Sequence, residues 1–340
     1  MLRGPMPRDL SRLPKAHLHL HLEGSARAST IAEFGRREGI DLTGLSKPCD
    51  LATFMQRYWN VVGVIKYPAD LERICRELVE DEAKAGVVHL EPMFAPHDFA
   101  TRFGMTPEAV FQLMDAAFQT AARVHDVSVS YLLGVDRARS LADIREVADF
   151  AVAHTSRRVV GFGYGGDESV RTATELAPVC QIILDAGMAL VVHAGEVLGA
   201  DTVREAVEVL RPTRVAHGIR AVDDTAVLDL IAARHLTLDL APTSNVFTGA
   251  VPSLALFPLR TFLQHGIRVT LNADDQLFFG ASILNEYDNA RRHQGLDDVA
   301  LAAIATTSIE ASRAPEAVKR AAIANINAWV RGVSGPAIGQ

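Results

Sequence analysis

Apolar residues gather in eight short runs, at 15 to 20, 87 to 92, 127 to 133, 158 to 163, 188 to 193, 213 to 217, 236 to 241 and 268 to 273. Most are near-continuous rather than alternating, as expected of parallel strands covered on both faces. Segments with helical spacing separate most of them. In 70 to 85, Leu71, Ile74, Leu78 and Val79 form one apolar stripe, and Gly86 supplies the stop before the next strand. Eight strands alternating with helices predict an α/β fold, a single (β/α)8 barrel of the TIM type. The stretch 26 to 86 is too long for one crossover, and predicts extra helices lying over the barrel mouth. The Ala-rich stretch 296 to 332 predicts a terminal helix pair. No low-complexity linker or break in composition divides the chain, so 1 to 340 is expected to fold as one domain.

In such a barrel the chemistry belongs at the C-terminal ends of the strands. There the polar residues of this chain fall: His19 and His21 in AHLHLHLEGS, His193 and Glu196 in VVHAGE, His217 in RVAHG, Asn245 in PTSN, and Asp274 and Asp275 in RVTLNADD. Alternation on a strand sends His19 and His21 to one face, where two imidazoles can meet one cation. His17 shares that face but lies deeper, and is expected to be a hydrogen-bonded core residue. His19, His21, His193 and Asp274 would supply four ligands to a zinc ion, leaving a position for water whose pKa the metal lowers. Glu196 is placed to move a proton to a substrate, and His217 and Asp275 flank the nucleophile. An adjacent acidic pair is more often a solvated turn; here it ends an apolar strand in a barrel-like series.

Bulk properties narrow the ligand. With 49% hydrophobic and 22% charged residues the chain can bury a large core, and its net charge of −7 lacks the basic balance that phosphate backbones select. A small molecule is expected, with no nucleic acid and no membrane partner. The three cysteines are too few and too scattered for a disulfide framework or a thiolate metal site, which suits a cytoplasmic protein. No signal-peptide pattern or membrane-length apolar run occurs. Oligomeric state has no sequence signal. The run Glu80, Asp81, Glu82 reads as a solvated helix face, and Tyr58 and Trp59 read equally well as core or as a lid. Gly161, Gly163 and Gly166 match GxGxxG, but the next strand does not end in the acid that a dinucleotide ribose needs.

Taken together, PKAHLHLHLEGS, GFGYGGDE, HAGE, HG, PTSN and NADD occur in an order that resembles the adenosine deaminases and their relatives in the amidohydrolase superfamily. The resemblance implies a zinc-dependent deaminase acting on adenosine or 2′-deoxyadenosine, with free adenine or a 5′-modified adenosine as alternatives. It assigns His19, His21, His193 and Asp274 to the zinc, Glu196 to protonation of purine N1, and His217 and Asp275 to orienting the zinc-activated nucleophile toward C6. It further implies that Gly166 offers its N–H to purine N3 and that Glu23 hydrogen-bonds a ribose hydroxyl. Glu23 is one methylene longer than the usual aspartate, Gly163 and Tyr164 are atypical, and Gln276 stands where proline commonly follows the acidic pair. A two-metal hydrolase would carry a bridging lysine at the end of strand four, and RRVVGFGYGG has none. A barrel kept only as a binding module would be expected to have lost a ligand or the acid, and all are present.

Overall fold

The computed structural model describes residues 7–333 of the 340. Ten strand segments form the eight staves of a parallel barrel: β1 (Lys15–His17), β2 (Val87–Leu90), β3 (Met93–Phe94), β4 (Ser128–Val129), β5 (Tyr131–Asp136), β6 (Val159–Gly165), β7 (Ala189–Ala194), β8 (Arg214–His217), β9 (Thr237–Leu240) and β10 (Arg268–Leu271). The second stave is β2 and β3, broken at Glu91 and Pro92; the third is β4 and β5. Pairing runs β1–β2–β4 and β3–β5–β6–β7–β8–β9–β10, all parallel.

The last stave meets the first without a ladder among the described residues. Instead, the backbone N–H groups of Leu18 and His19 both donate to the side-chain Oδ1 of Asn272, at 3.0 and 3.1 Å. Asp274 N–H then donates to His19 O and His21 N–H to Asp274 O, at 3.1 and 3.4 Å. This is why the run 15 to 20 forms a regular strand only to His17: beyond it, an amide side chain stands in for a neighbouring backbone.

Each strand sorts its residues by alternation. In β7, Leu190 and Val192 point outward into the large core between strands and helices, while Val191 points into the barrel to pack with Met93 and Leu132. His193 shares the inward face of Val191. The expected helix in 70 to 85 spans Pro68–Lys84 and is followed by Gly86 at φ +84°. The terminal pair is Asp298–Ala311 and Glu316–Arg331. Residues 26 to 86 contain two further helices, Ala28–Glu38 and Leu51–Val64.

One expectation fails inside Pro68–Lys84. Glu80 and Asp81 are partly exposed and pair with Arg27, but Glu82 is 1% exposed. It lies four residues past Leu78 and three past Val79, which puts it on the buried stripe rather than the solvated face.

Below the mouth, the barrel interior carries charge that is fully paired. Arg214 donates to Glu91 Oε2 (2.8 Å) and Asp239 Oδ2 (2.7 Å). The remaining oxygens accept from Arg313 N–H (2.5 Å) and Thr270 Oγ1 (2.7 Å). Lys15 is likewise buried and donates to the carbonyls of Leu10 (2.9 Å) and Ala85 (2.6 Å), joining the chain start to the turn before β2.

Candidate metal and catalytic site

Strand parity delivers most of the candidate residues to the mouth. Lys15, His17 and His19 share one face of the first stave, and Ala16, Leu18 and Leu20 pack outward. His217 is the exception. Strict alternation would turn it outward with Val215, but its backbone adopts φ +63°, and the imidazole enters the mouth. Asp274 is also left-handed, at φ +57°. Such conformations in non-glycine residues cost on the order of 1–3 kcal/mol each and gather at functional sites.

The side chains meet. Ligand-capable atoms of His19, His193, His217 and Asp274 lie within 4.8 Å of one another, and His21, Asp274 and Asp275 form an overlapping group. Asp274 Oδ1 is 3.3 Å from both His19 Nε2 and His21 Nε2. The tautomers follow from the outer partners. His19 Nδ1 faces the carbonyl of Asp239 (3.1 Å) and His193 Nδ1 faces that of Tyr164 (2.8 Å). A carbonyl only accepts, so each Nδ1 carries the proton and each Nε2 presents a lone pair. Those two lone pairs face each other across 3.1 Å in a buried space. A cation between them relieves that contact, so the donor set fits a divalent metal with nitrogen and oxygen ligands. His217 differs: Asn245 Nδ2 lies 3.2 Å from its Nδ1, which leaves the proton on Nε2, toward Glu196 Oε2 at 3.6 Å. That tautomer favours His21 over His217 as the third imidazole donor.

The electrostatics divide the groups by task. Burial, then the charges of Asp274 and Glu168, push the Glu196 carboxyl up to about 8. Burial and the adjoining Asp274 hold Asp275 well above the usual carboxylate range, and its Oδ1 has no partner. Burial and the neighbouring His19 drop His217 to about 3, so its ring is neutral. Glu23 is raised to about 7 by burial and then by Asp98, and accepts from Tyr58 Oη at 2.9 Å.

His21, Glu23, His193, Glu196, His217, Asp274 and Asp275 line one cavity. Its wall also takes Leu51, Phe54, Met55, Tyr58 and Trp59 from helix Leu51–Val64, together with Phe279 and Gly166. Six carboxylates, from Glu23, Asp98, Asp136, Glu196, Asp274 and Asp275, reach the lining, and among the described residues neither Lys nor Arg does. Two glycines are required by close approach. A Cβ on Gly24 would sit 1.6 Å from Asp275 Oδ1, and one on Gly166, at φ +90°, would sit 2.4 Å from Asp136 Oδ1.

Sequence reasoning passed over Glu168. It is 6% exposed and accepts three backbone N–H bonds, from Gly195 (2.5 Å), Val197 (2.9 Å) and Leu198 (3.0 Å). It thereby grips the loop on both sides of Glu196. Its one signal was an acid in a glycine-rich loop after a strand, which is as common in solvated turns. Asn272 was equally silent, because an Asn at a strand end usually caps a turn.

Comparison with known proteins agrees with this geometry. The sequence profile described as Adenosine deaminase matches residues 14–329. A Streptomyces virginiae protein, named provisionally as an adenosine/adenine deaminase, is 33% identical over 336 residues, covering 96% of this chain and 99% of that protein. An adenine deaminase of Rhizobium leguminosarum bv. trifolii is 29% identical, covering 92% of this chain and 99% of its own. The crystal structure of an adenine deaminase from Arthrobacter aurescens superposes with a TM-score of 0.87 at 29% identity, covering 94% of this chain and 99% of that one. With a (β/α)8 barrel that gathers imidazoles and carboxylates at its mouth, and a match along nearly its whole length, the chain belongs to the adenosine deaminase family.

Proposed function

We propose that this protein hydrolytically deaminates an uncharged adenine-type purine, exchanging the 6-amino group for oxygen from water and releasing ammonia. The observation that carries this is the buried Glu196, raised to about 8 and therefore protonated at neutral pH, beside a convergent His and Asp donor set. His19, His21, His193 and Asp274 would hold one divalent ion, taken to be zinc, which when bound supplies Lewis-acid activation of water. Glu196 donates its proton to the purine ring nitrogen N1 as C6 becomes tetrahedral, which lowers the cost of charge on the ring. With a cation offsetting the charge of Asp274, Asp275 would be ionised; it takes one proton from the attacking water and passes it to the leaving amine, and the hydroxyl left on C6 returns its proton to Glu196 as the carbonyl forms. His217, neutral and proton-bearing on Nε2, donates a hydrogen bond to the oxygen that adds. Gly166 offers its backbone N–H to the base edge.

Among the candidate purines, free adenine is favoured over adenosine. The carboxyl that the family resemblance assigns to a ribose hydroxyl, Glu23, is 3% exposed and already engaged by Tyr58. A nucleoside would have to displace Tyr58 to use it, whereas a bare base would not. Acidic side chains reach the lining and, among the described residues, neither Lys nor Arg does, so no side-chain cation there would neutralise a phosphate, which speaks against a phosphorylated substrate. We take the helices of 26 to 86 as a cover for the mouth within one domain, since helix Leu51–Val64 contributes five of the lining residues. A cytoplasmic setting suits the three free cysteines.

Ammonia release from zinc-loaded protein given adenine, adenosine, 2′-deoxyadenosine and AMP tests the proposal. The expected order of kcat/KM is adenine first and AMP last. No turnover of any of them, or full activity after exhaustive chelation, overturns it; adenosine ahead of adenine overturns only the choice of substrate.

A further inference from the structure

Resting on the deaminase proposal, we infer that Glu82, with His17 and Gln276, is a positioning device for the acidic pair Asp274 and Asp275. The two residues that flank the pair converge on the one carboxylate of Glu82. On one side, Ala273 N–H donates to His17 Nε2 at 3.0 Å. That bond makes Nε2 an acceptor, so Nδ1 carries the proton and donates to Glu82 Oε2 at 2.9 Å. On the other side, Gln276 Nε2 donates to Glu82 Oε1 at 2.6 Å. One oxygen serves each flank.

The arrangement has a physical reason. Asp274 sits at φ +57°, and Asp275 Oδ1 is buried without a partner. Neither feature holds itself in place: the first costs conformational energy and the second forgoes a hydrogen bond. Beyond Asp275 the chain enters the single helical turn Gln276–Phe279, too short to be rigid alone. Both hydrogen bonds end on one buried side chain of the long helix Pro68–Lys84, and so they tie the turn to that helix. Glu82 is 1% exposed, and both of its oxygens accept from these two side chains. It touches no substrate. It acts through His17 and Gln276 on the placement of the two aspartates.

The test is a reciprocal pair. Gln276→Glu places two carboxylates at hydrogen-bond distance and should push the turn outward. A displacement near 1 Å in a reacting group can cost about 10²-fold, so kcat is expected to fall by about 10- to 100-fold, with KM changed little. Adding Glu82→Gln to Gln276→Glu rebuilds the bracket, because the new amide accepts from His17 through its oxygen and donates to the new carboxylate. The double variant should recover most of the lost kcat. Hydrogen exchange across 272–279 reads the same bracket without turnover: faster in Gln276→Glu, slowed again in the double variant. Wild-type kcat in Gln276→Glu, or a double variant no better than the single one, overturns the inference. If Gln276→Glu does not fold, Gln276→Ala takes its place and must still speed exchange across 272–279; unchanged exchange there overturns the inference as well. Failure of the wild-type protein to deaminate any purine overturns the proposed function alone, since exchange still judges the bracket.

Discussion

Two layers of charge cross the barrel interior, one above the other, and they are built on opposite rules. In the lower layer Arg214, Glu91 and Asp239 are almost fully excluded from solvent, and each carboxylate oxygen has a donor. At the mouth, imidazole lone pairs face each other, Asp275 leaves an oxygen unpartnered, and Glu196 is raised to about 8. The layers touch: the carbonyl of Asp239, whose side chain belongs to the lower set, orients His19 in the upper one. The satisfied layer costs least when left intact and gives the walls a fixed shape. The unsatisfied layer is the one on which the proposed chemistry rests, because its donors and acceptors are not spent on one another.

Breaking the upper layer should change chemistry with little loss of fold, and the largest effect is expected from Asp274→Ala. It removes an oxygen shared by His19 and His21, so bound zinc by elemental analysis should fall to a small fraction, and turnover with it. Full zinc content in that variant would contradict the ligand set. Glu196→Gln should keep its metal and lose about 10²- to 10⁴-fold in kcat, the usual weight of a general acid. Near-normal turnover would remove Glu196 from the mechanism.

The lower layer should respond in stability. Arg214→Ala strands two buried carboxylates and is expected to cost about 3–5 kcal/mol, seen as a midpoint shift in urea unfolding. An unchanged midpoint would mean that the two layers do not differ as described. The smallest effect is one of pH. Glu196 is raised, so its protonated form is present below about 8 and lost above it; kcat/KM for adenine should decline as pH rises through that value. A rate that keeps climbing past pH 9 would count against a protonated Glu196.

Much of the fold was legible because parallel strands buried on both faces leave near-continuous apolar runs, and all eight runs contain strand segments. The mouth was legible for a related reason: an ionisable residue at the end of an apolar strand does nothing for packing and costs desolvation unless it meets a partner or a ligand. What stayed hidden depends on contacts between distant positions. The spacing of Glu82 from Leu78 and Val79 already places it on the buried stripe, and what stayed hidden is its partners His17 and Gln276, which lie far away in the chain. Glu168 grips a loop about thirty positions away through backbone N–H groups, which carry no residue identity to read. His217 reaches the mouth by a left-handed backbone that alternation alone would not allow. Gln276 could be seen as a departure, but its partner on another helix could not.

The seam between the first and last staves sets a timetable for the newborn chain. Leu18 and the Asn272 amide that closes on it are separated by 254 positions. At about 5–20 residues per second of synthesis, this interval corresponds to a delay on the order of ten to fifty seconds. Throughout that delay His19 and His21 have been made but Asp274, the carboxylate that both face, has not. Ring closure therefore waits for Asn272, and a polypeptide truncated before it lacks the amide that joins the first stave to the last.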